Sequence, residues 1–287
     1  MNICLIRHGM SLHNIFDQYL QKAMSMEQIP PSEREFIHSI SSKDRKFAED
    51  KKLKFDLRLI DPPLSELGIE QAKENQKEVN KLDVKYVLVS PLLRALQTSR
   101  FLFEKHPNKE IIKFIVVPMT REVISSINDL PNWTLKKTRE EFEKIEGMHY
   151  DFSMFKEFPK PDLYFLYSLN EEEAKNAFKR IEEEGEENYV KTIQKIMLEK
   201  KVPGHQHHCK FETYYNARKR GILFADWTRK FIAEKGIKPE QVALVSHSNF
   251  ICHMTATEFN DYGRVKVYSK PPFAIPYSFD LNKVPSP

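Results

Sequence analysis

Four short apolar runs, set apart by helix-length stretches, constrain this chain more than any other feature. Asn2–Ile6, Tyr86–Ser90, Phe114–Val117 and Val242–Ser246 are brief, rich in β-branched residues and bounded by polar or proline-containing turns. That is the pattern of strands buried on both faces. Between them the periodicity predicts helices: one from an N-cap at Ser65 through Leu82, one over Leu92–Phe103 and one over Glu212–Glu234. Strands alternating with helices predict an α/β fold, a mostly parallel sheet with helices on both faces in three layers. Only 8 glycines stand against 45 Lys+Arg and 41 Asp+Glu, so long helices with charged faces should outweigh strand.

Two stretches break the alternation. Residues 16–60 and 134–210 are charged and helix-prone, with acidic patches at Glu171–Glu173 and Glu182–Glu184 and no internal repeat. Neither carries the apolar periodicity of a separate core, so the chain is read as one domain over 1–287 with these insertions forming a cap or lid. The aromatics Phe152, Phe155, Phe158, Tyr164, Phe165 and Tyr167 are read as packing an insertion onto the core.

Composition narrows the partners. A formal net charge of +4, with no Lys/Arg run interleaved with aromatics, argues against a nucleic-acid groove. No run approaches the roughly 20 apolar residues of a membrane span, and no basic segment followed by an apolar stretch opens the chain. Cys4, Cys209 and Cys252 are widely spaced and odd in number, which indicates neither a disulfide framework nor a four-ligand zinc module. The expectation is a cytoplasmic protein without a membrane or nucleic-acid partner. In His205-Gln-His-His-Cys209 the ligand-type residues are adjacent and cannot all converge on one tetrahedral ion, so no metal site is expected there.

The chemistry gathers where the apolar runs end. The first runs into Arg7-His8-Gly9, with Ser11, His13 and Asn14 following. The second ends in Ser90-Pro91, with Arg94 in the first turn of the next helix, and the fourth ends in Ser246-His247-Ser248-Asn249. The carboxyl ends of parallel strands are where open α/β sheets bind ligands, and helix N-termini there offer free N–H groups to an anion. Two arginines and two histidines on one edge fit a phosphoryl group. Its transferring phosphorus spreads negative charge over three oxygens that guanidinium forks grip bidentately. A neutral histidine can attack that phosphorus and pass it to water, and this logic needs no metal or organic cofactor.

These residues resemble the histidine phosphatase superfamily in its phosphoglycerate-mutase-like branch. The resemblance is carried by Leu5-Ile-Arg-His-Gly9 with Ser11 and Asn14, Asp61-Pro-Pro-Leu-Ser-Glu-Leu-Gly68 with Gln71-Ala72, Ser90-Pro-Leu-Leu-Arg-Ala-Leu-Gln-Thr98, Arg121-Glu122 and Val245-Ser-His247. It implies that His8 is the phosphorylated nucleophile, that Arg7, Arg94 and His247 complete the phosphate pocket, and that Asn14 bonds the phosphate. It further implies that Glu122 protonates the leaving oxygen. Ser11 and Ser248 are expected to contact substrate. Asp61, Ser65 and Gly68 are read as starting and packing a helix, although Asp61, Glu66 and Asp129 stay open as alternative acids.

Met10 stands where the family often has glutamate, and Ser248 replaces a glycine. The Asn-Glu-Arg-His-Tyr-Gly segment of glycolytic mutases has no counterpart near Glu122. The sequence thus points to a metal-independent histidine acid-base phosphatase acting on small-molecule or protein phosphate esters. A phosphoglycerate-type mutase is the first alternative and a non-catalytic phosphate-recognising protein the second. Substrate and oligomeric state are not readable from the sequence.

Overall fold

The apolar run that opens the chain is strand β1 (Asn2–Arg7), and it lies inside the sheet. The computed structural model describes residues 1–20, 26–35, 38, 59–199, 211–261, 263–266 and 271–287. With β2 (Tyr86–Val89), β3 (Lys113–Val116), β4 (His149–Asp151), β5 (Val242–Ser246) and β6 (Pro276–Asp280), β1 forms a six-stranded sheet of order β4-β3-β2-β5-β1-β6. Every pairing is parallel except β1 with β6. The predicted mostly parallel α/β architecture is therefore the one adopted. Two strands had not been read from the sequence. β4 buries only Tyr150, and β6 is a half-exposed edge carrying Pro276, so neither shows an apolar run.

The strands alternate their side chains between two cores. Ile3, Leu5, Leu88, Val242 and Leu244 pack with Phe224, Phe231, Ile251 and Met254 on one face. These partners come from helices α8 (Tyr214–Lys235) and α9 (Ser248–Thr255). Cys4, Ile6, Val87, Val89, Phe114 and Val245 face the other way, toward Ala72, Val79, Leu96 and Phe103. Those belong to α2 (Glu66–Glu74), α3 (Gln76–Val79) and α4 (Leu93–Phe103); α1 is Leu12–Leu20. Ser65 caps α2 by accepting the Gly68 N–H, as predicted, but the helix expected to run on to Leu82 breaks at Asn75.

Within 134–199 lie α5 (Leu135–Phe142), α6 (Glu171–Glu184) and α7 (Tyr189–Glu199). Phe152, Phe155, Tyr164 and Phe165 pack into the same apolar cluster as Val87 and Phe114, together with Ile181 and Ile193. These four aromatics are core, as expected, whereas Phe158 is only partly buried and Tyr167 is exposed. Most of 36–58 and all of 200–210, including His205–Cys209, lie outside the described residues. Among the described residues no helix is long and apolar enough to cross a membrane. No group of three His, Cys, Asp or Glu side chains there is arranged to hold a metal ion.

Candidate active site

Four segments carry the predicted site residues to the carboxyl edge of the sheet. β1 delivers Arg7 and His8, the β2–α4 junction Arg94, the loop after β3 Glu122, and the β5–α9 junction His247 and Ser248. They surround a cavity of about 330 Å³ that is lined by Arg7, His8, Ser11, Asn14, Arg94, Glu122 and Ser248. His247 does not line it. That ring is fully buried behind His8, with the two ring centroids 5.0 Å apart.

The turn that presents His8 is held from behind by the motif residues around Ser65 and Thr98. The Gly9 N–H donates to Thr98 Oγ1 at 2.9 Å, the Met10 N–H to Gln71 Oε1 at 3.0 Å, and Ser65 Oγ to the Met10 carbonyl at 2.8 Å. Helix α2 approaches so closely that a Cβ on Gly68 would sit 2.0 Å from Met10 O, which explains a glycine at that place.

His8 Nδ1 lies 2.6 Å from the Gly9 carbonyl oxygen. A carbonyl only accepts, so Nδ1 carries the proton and the neutral ring keeps its lone pair on Nε2. Burial, then the charges of Arg94 and Arg7, hold the His8 pKa well below its ordinary 6.5, so the ring is neutral at pH 7. His247 is lowered in the same way by burial and then Arg94. Its Nε2 lies 2.7 Å from Ser90 Oγ, and its Nδ1 has no hydrogen-bond partner among the described residues.

Both guanidiniums are anchored. Arg7 lies 3.6 Å over the centroid of the Phe273 ring and donates to the Pro271 carbonyl at 3.1 Å. Arg94 donates to the Asn128 carbonyl at 3.2 Å and to Asp129 Oδ1 at 3.1 Å, with Asp61 Oδ1 at 3.7 Å. Asp61 adopts a left-handed backbone, φ 40°, and also accepts the Leu93 N–H at 2.9 Å. Asp61 therefore does more than start a helix. Burial lifts its carboxyl to about 7 against the pull of Arg94.

Glu122 also lines the cavity. Its Oε1 accepts the N–H groups of Val123 at 2.7 Å and Phe250 at 3.0 Å, and its Oε2 accepts the Asn249 N–H at 3.2 Å. Burial, then the Asp129 carboxylate, raise it to about 6 in spite of these donors and Arg94. Of the other carboxyls weighed as acids, Glu66 is exposed and off the cavity, and Asp129 lines it but is engaged with Arg94.

The cavity also holds residues that strand-end reasoning did not single out: Ser125, Ser126, Asn128, Tyr214, His253 and Arg264. They come from loops and helix faces remote in sequence. Only the position of His253 six residues beyond His247, on the helix the latter opens, gave a local signal. Among the described residues, 134–199 contributes nothing to the lining.

Fold and site define a three-layer α/β protein with a basic, histidine-bearing cleft at the carboxyl ends of its strands. Residues 54–161 match the family model of the histidine phosphatase superfamily, branch 1. Among solved structures the chain is similar to the ecdysone phosphate phosphatase of Bombix mori in complex with tungstate. The identity is 13%, covering 100% of this chain and 92% of that one, with a TM-score of 0.51. It also matches a mycobacterial glucosyl-3-phosphoglycerate phosphatase in complex with VO3, at 14% identity, 99% and 94% coverage and a TM-score of 0.46. A phosphoglycerate mutase from Bacillus anthracis matches at 14% identity, 100% and 92% coverage and a TM-score of 0.46. A search of curated proteins finds no match. The family model thus matches one segment of the chain, and the first of these structures shares its fold.

Proposed function

We propose that the chain is a phosphomonoester hydrolase that works through a phosphohistidine on His8. The observation that carries this reading is the Nδ1 bond to Gly9, which leaves the Nε2 lone pair of a neutral, buried ring at a cavity flanked by Arg7 and Arg94. In the first half-reaction Nε2 bonds to phosphorus while the ester P–O bond breaks. The departing oxygen keeps the electron pair and takes the proton of Glu122, whose raised pKa keeps it protonated in mildly acidic solution. In the second, a water oxygen bonds to phosphorus, its proton goes to Glu122, and the N–P bond breaks to restore the lone pair on Nε2. Arg7, Arg94, Asn14 and the N–H groups near Ser248 take the phosphoryl oxygens, while His247, expected to do the same, packs behind His8 off the cavity. One catalytic unit over 1–287 is part of the proposal, supported by the apolar cluster that 134–199 shares with the sheet.

Brief incubation with labelled substrate should leave phosphate on His8 in an acid-labile, base-stable bond. Label retained undiminished in His8→Ala would overturn the assignment. Release of inorganic phosphate, rather than transfer to a second position of the substrate, separates hydrolase from mutase. Hydrolysis should persist in excess chelator. Full loss on chelation, restored by zinc or magnesium, would show that the arginines and histidines do not suffice.

A further inference from the structure

Behind Glu122 lies an ion triad that the catalytic proposal does not use. Arg121, Glu212 and Arg220 are almost wholly buried, at 0, 0 and 3% exposure. Glu212 Oε2 accepts from Arg121 Nη1 at 2.7 Å and from Arg220 Nη2 at 3.0 Å, and Oε1 accepts from Arg220 Nε at 3.0 Å. Burial pushes the Glu212 carboxyl up, but the charges of Arg121 and Arg220 outweigh it and hold it at about 2. Taking three charges out of water is costly, and well-packed apolar side chains of similar volume often stabilise a fold as well, so stability alone is a weak reason for such a triad.

Arg121 Nη2 donates to Ser168 Oγ at 2.6 Å and to the Phe165 carbonyl at 3.3 Å, and what sets the triad apart is where its other hydrogen bonds go. Arg220 Nη1 donates to the carbonyls of Met119 at 2.6 Å and Arg121 at 2.7 Å, and Arg121 Nη1 donates to the carbonyl of Glu122 at 2.8 Å. Glu212 Oε2 accepts the Ile124 N–H at 3.1 Å. All of these backbone groups lie in 119–124, a loop with one 3-10 turn, Pro118–Thr120, and no ladder of its own. The Glu122 carboxylate is held from the α9 side by Asn249 and Phe250, while its carbonyl accepts from the neighbouring Arg121 and, from α8, Arg220.

We propose that the Arg121–Glu212–Arg220 triad positions Glu122, fixing the backbone from which the proposed acid reaches the leaving oxygen; this rests on Glu122 being that acid. Glu212 and Arg220 are positioning residues that touch neither substrate nor phosphorus. The test uses the full chain and two charge-conserving variants, Arg220→Lys and Glu212→Asp, beside Glu122→Gln. Lysine cannot hold two carbonyls and a carboxylate in one fork, and aspartate is one methylene too short. Thermal melts fix an assay temperature at which each variant is folded.

Displacing the acid by a fraction of an ångström should lower kcat on an alkyl phosphate by about 10- to 100-fold. KM and the rate on p-nitrophenyl phosphate, whose leaving group needs no proton, should change by less than about threefold. The alkaline limb of the alkyl profile should move as well. If Glu122→Gln is selective for alkyl substrates while both variants slow the two substrates equally, or slow neither, the triad does not position the acid. An unselective Glu122→Gln would instead remove the acid reading, and this proposal with it. If neither variant folds at any temperature, the triad is a requirement of the fold and the proposal also falls.

Discussion

At Glu122 two demands meet in one carboxyl group. It accepts backbone N–H groups that favour its charged form, yet burial and the neighbouring Asp129 carry it up to about 6. In the proposed mechanism the acid must be protonated and His8 must be neutral. The His8 pKa lies well below 6.5, so lowering the pH toward 6 protonates the acid before it charges the nucleophile. kcat/KM on alkyl phosphates should therefore be highest in mildly acidic solution and decline as the pH rises through about 6, a decline that a rate–pH profile records. Glu122→Gln should abolish that decline and depress alkyl turnover by about 100-fold or more, with a much smaller loss on an activated aryl phosphate. Equal losses on both substrates would assign Glu122 a structural part instead.

Among the elements, the contact of α2 with the Gly9–Met10 turn is the tightest at the site. Gly68→Ala would drive a methyl group into the Met10 backbone, so either helix or turn must withdraw. A loss of about 1–3 kcal/mol in thermal unfolding is expected, with a fall in turnover on alkyl and aryl substrates alike, because the displaced turn carries His8. Gly236→Ala is the contrast. That residue ends α8 at φ 59° with open space around it, so the substitution should cost about 1 kcal/mol and leave turnover unchanged. β1, β2, β3 and β5 were legible because a strand buried on both faces writes itself as an unbroken apolar run. β4 and β6 were not, since an edge strand needs no such run. In the site, His8, Arg7, Arg94 and His247 stood at strand ends where local pattern finds them. The partners that fix them, Asn128 and Asp129 for Arg94, and Glu212 for Arg121, act across 34, 35 and 91 residues of sequence, a distance that periodicity does not register.

For the whole molecule, the buried carboxyls make stability depend on pH in opposite directions. Asp61 rises from an ordinary 3.8 to about 7 and Glu122 from 4.5 to about 6, so the folded state binds more protons than the unfolded one across that interval. Their stabilising contribution is complete below the ordinary values and is lost as the pH climbs through about 6 and 7. Glu212 works the other way: its contribution is present above 4.5 and disappears as the pH falls toward 2. Thermal melts across pH should record both regimes, and Asp61→Asn should flatten the decline on the alkaline side. The insertion 134–199 carries a further consequence. It shares its apolar core with the sheet but, among the described residues, gives nothing to the lining of the candidate cleft. Its outer surface, such as the glutamates and lysines along α6, is therefore free to drift, to be recoloured in charge or to carry a graft without disturbing turnover. Its inner face shares one buried apolar cluster with Phe114 and Val87. Natural variation in this protein should accordingly run deep on one side of that insertion and stop at the other.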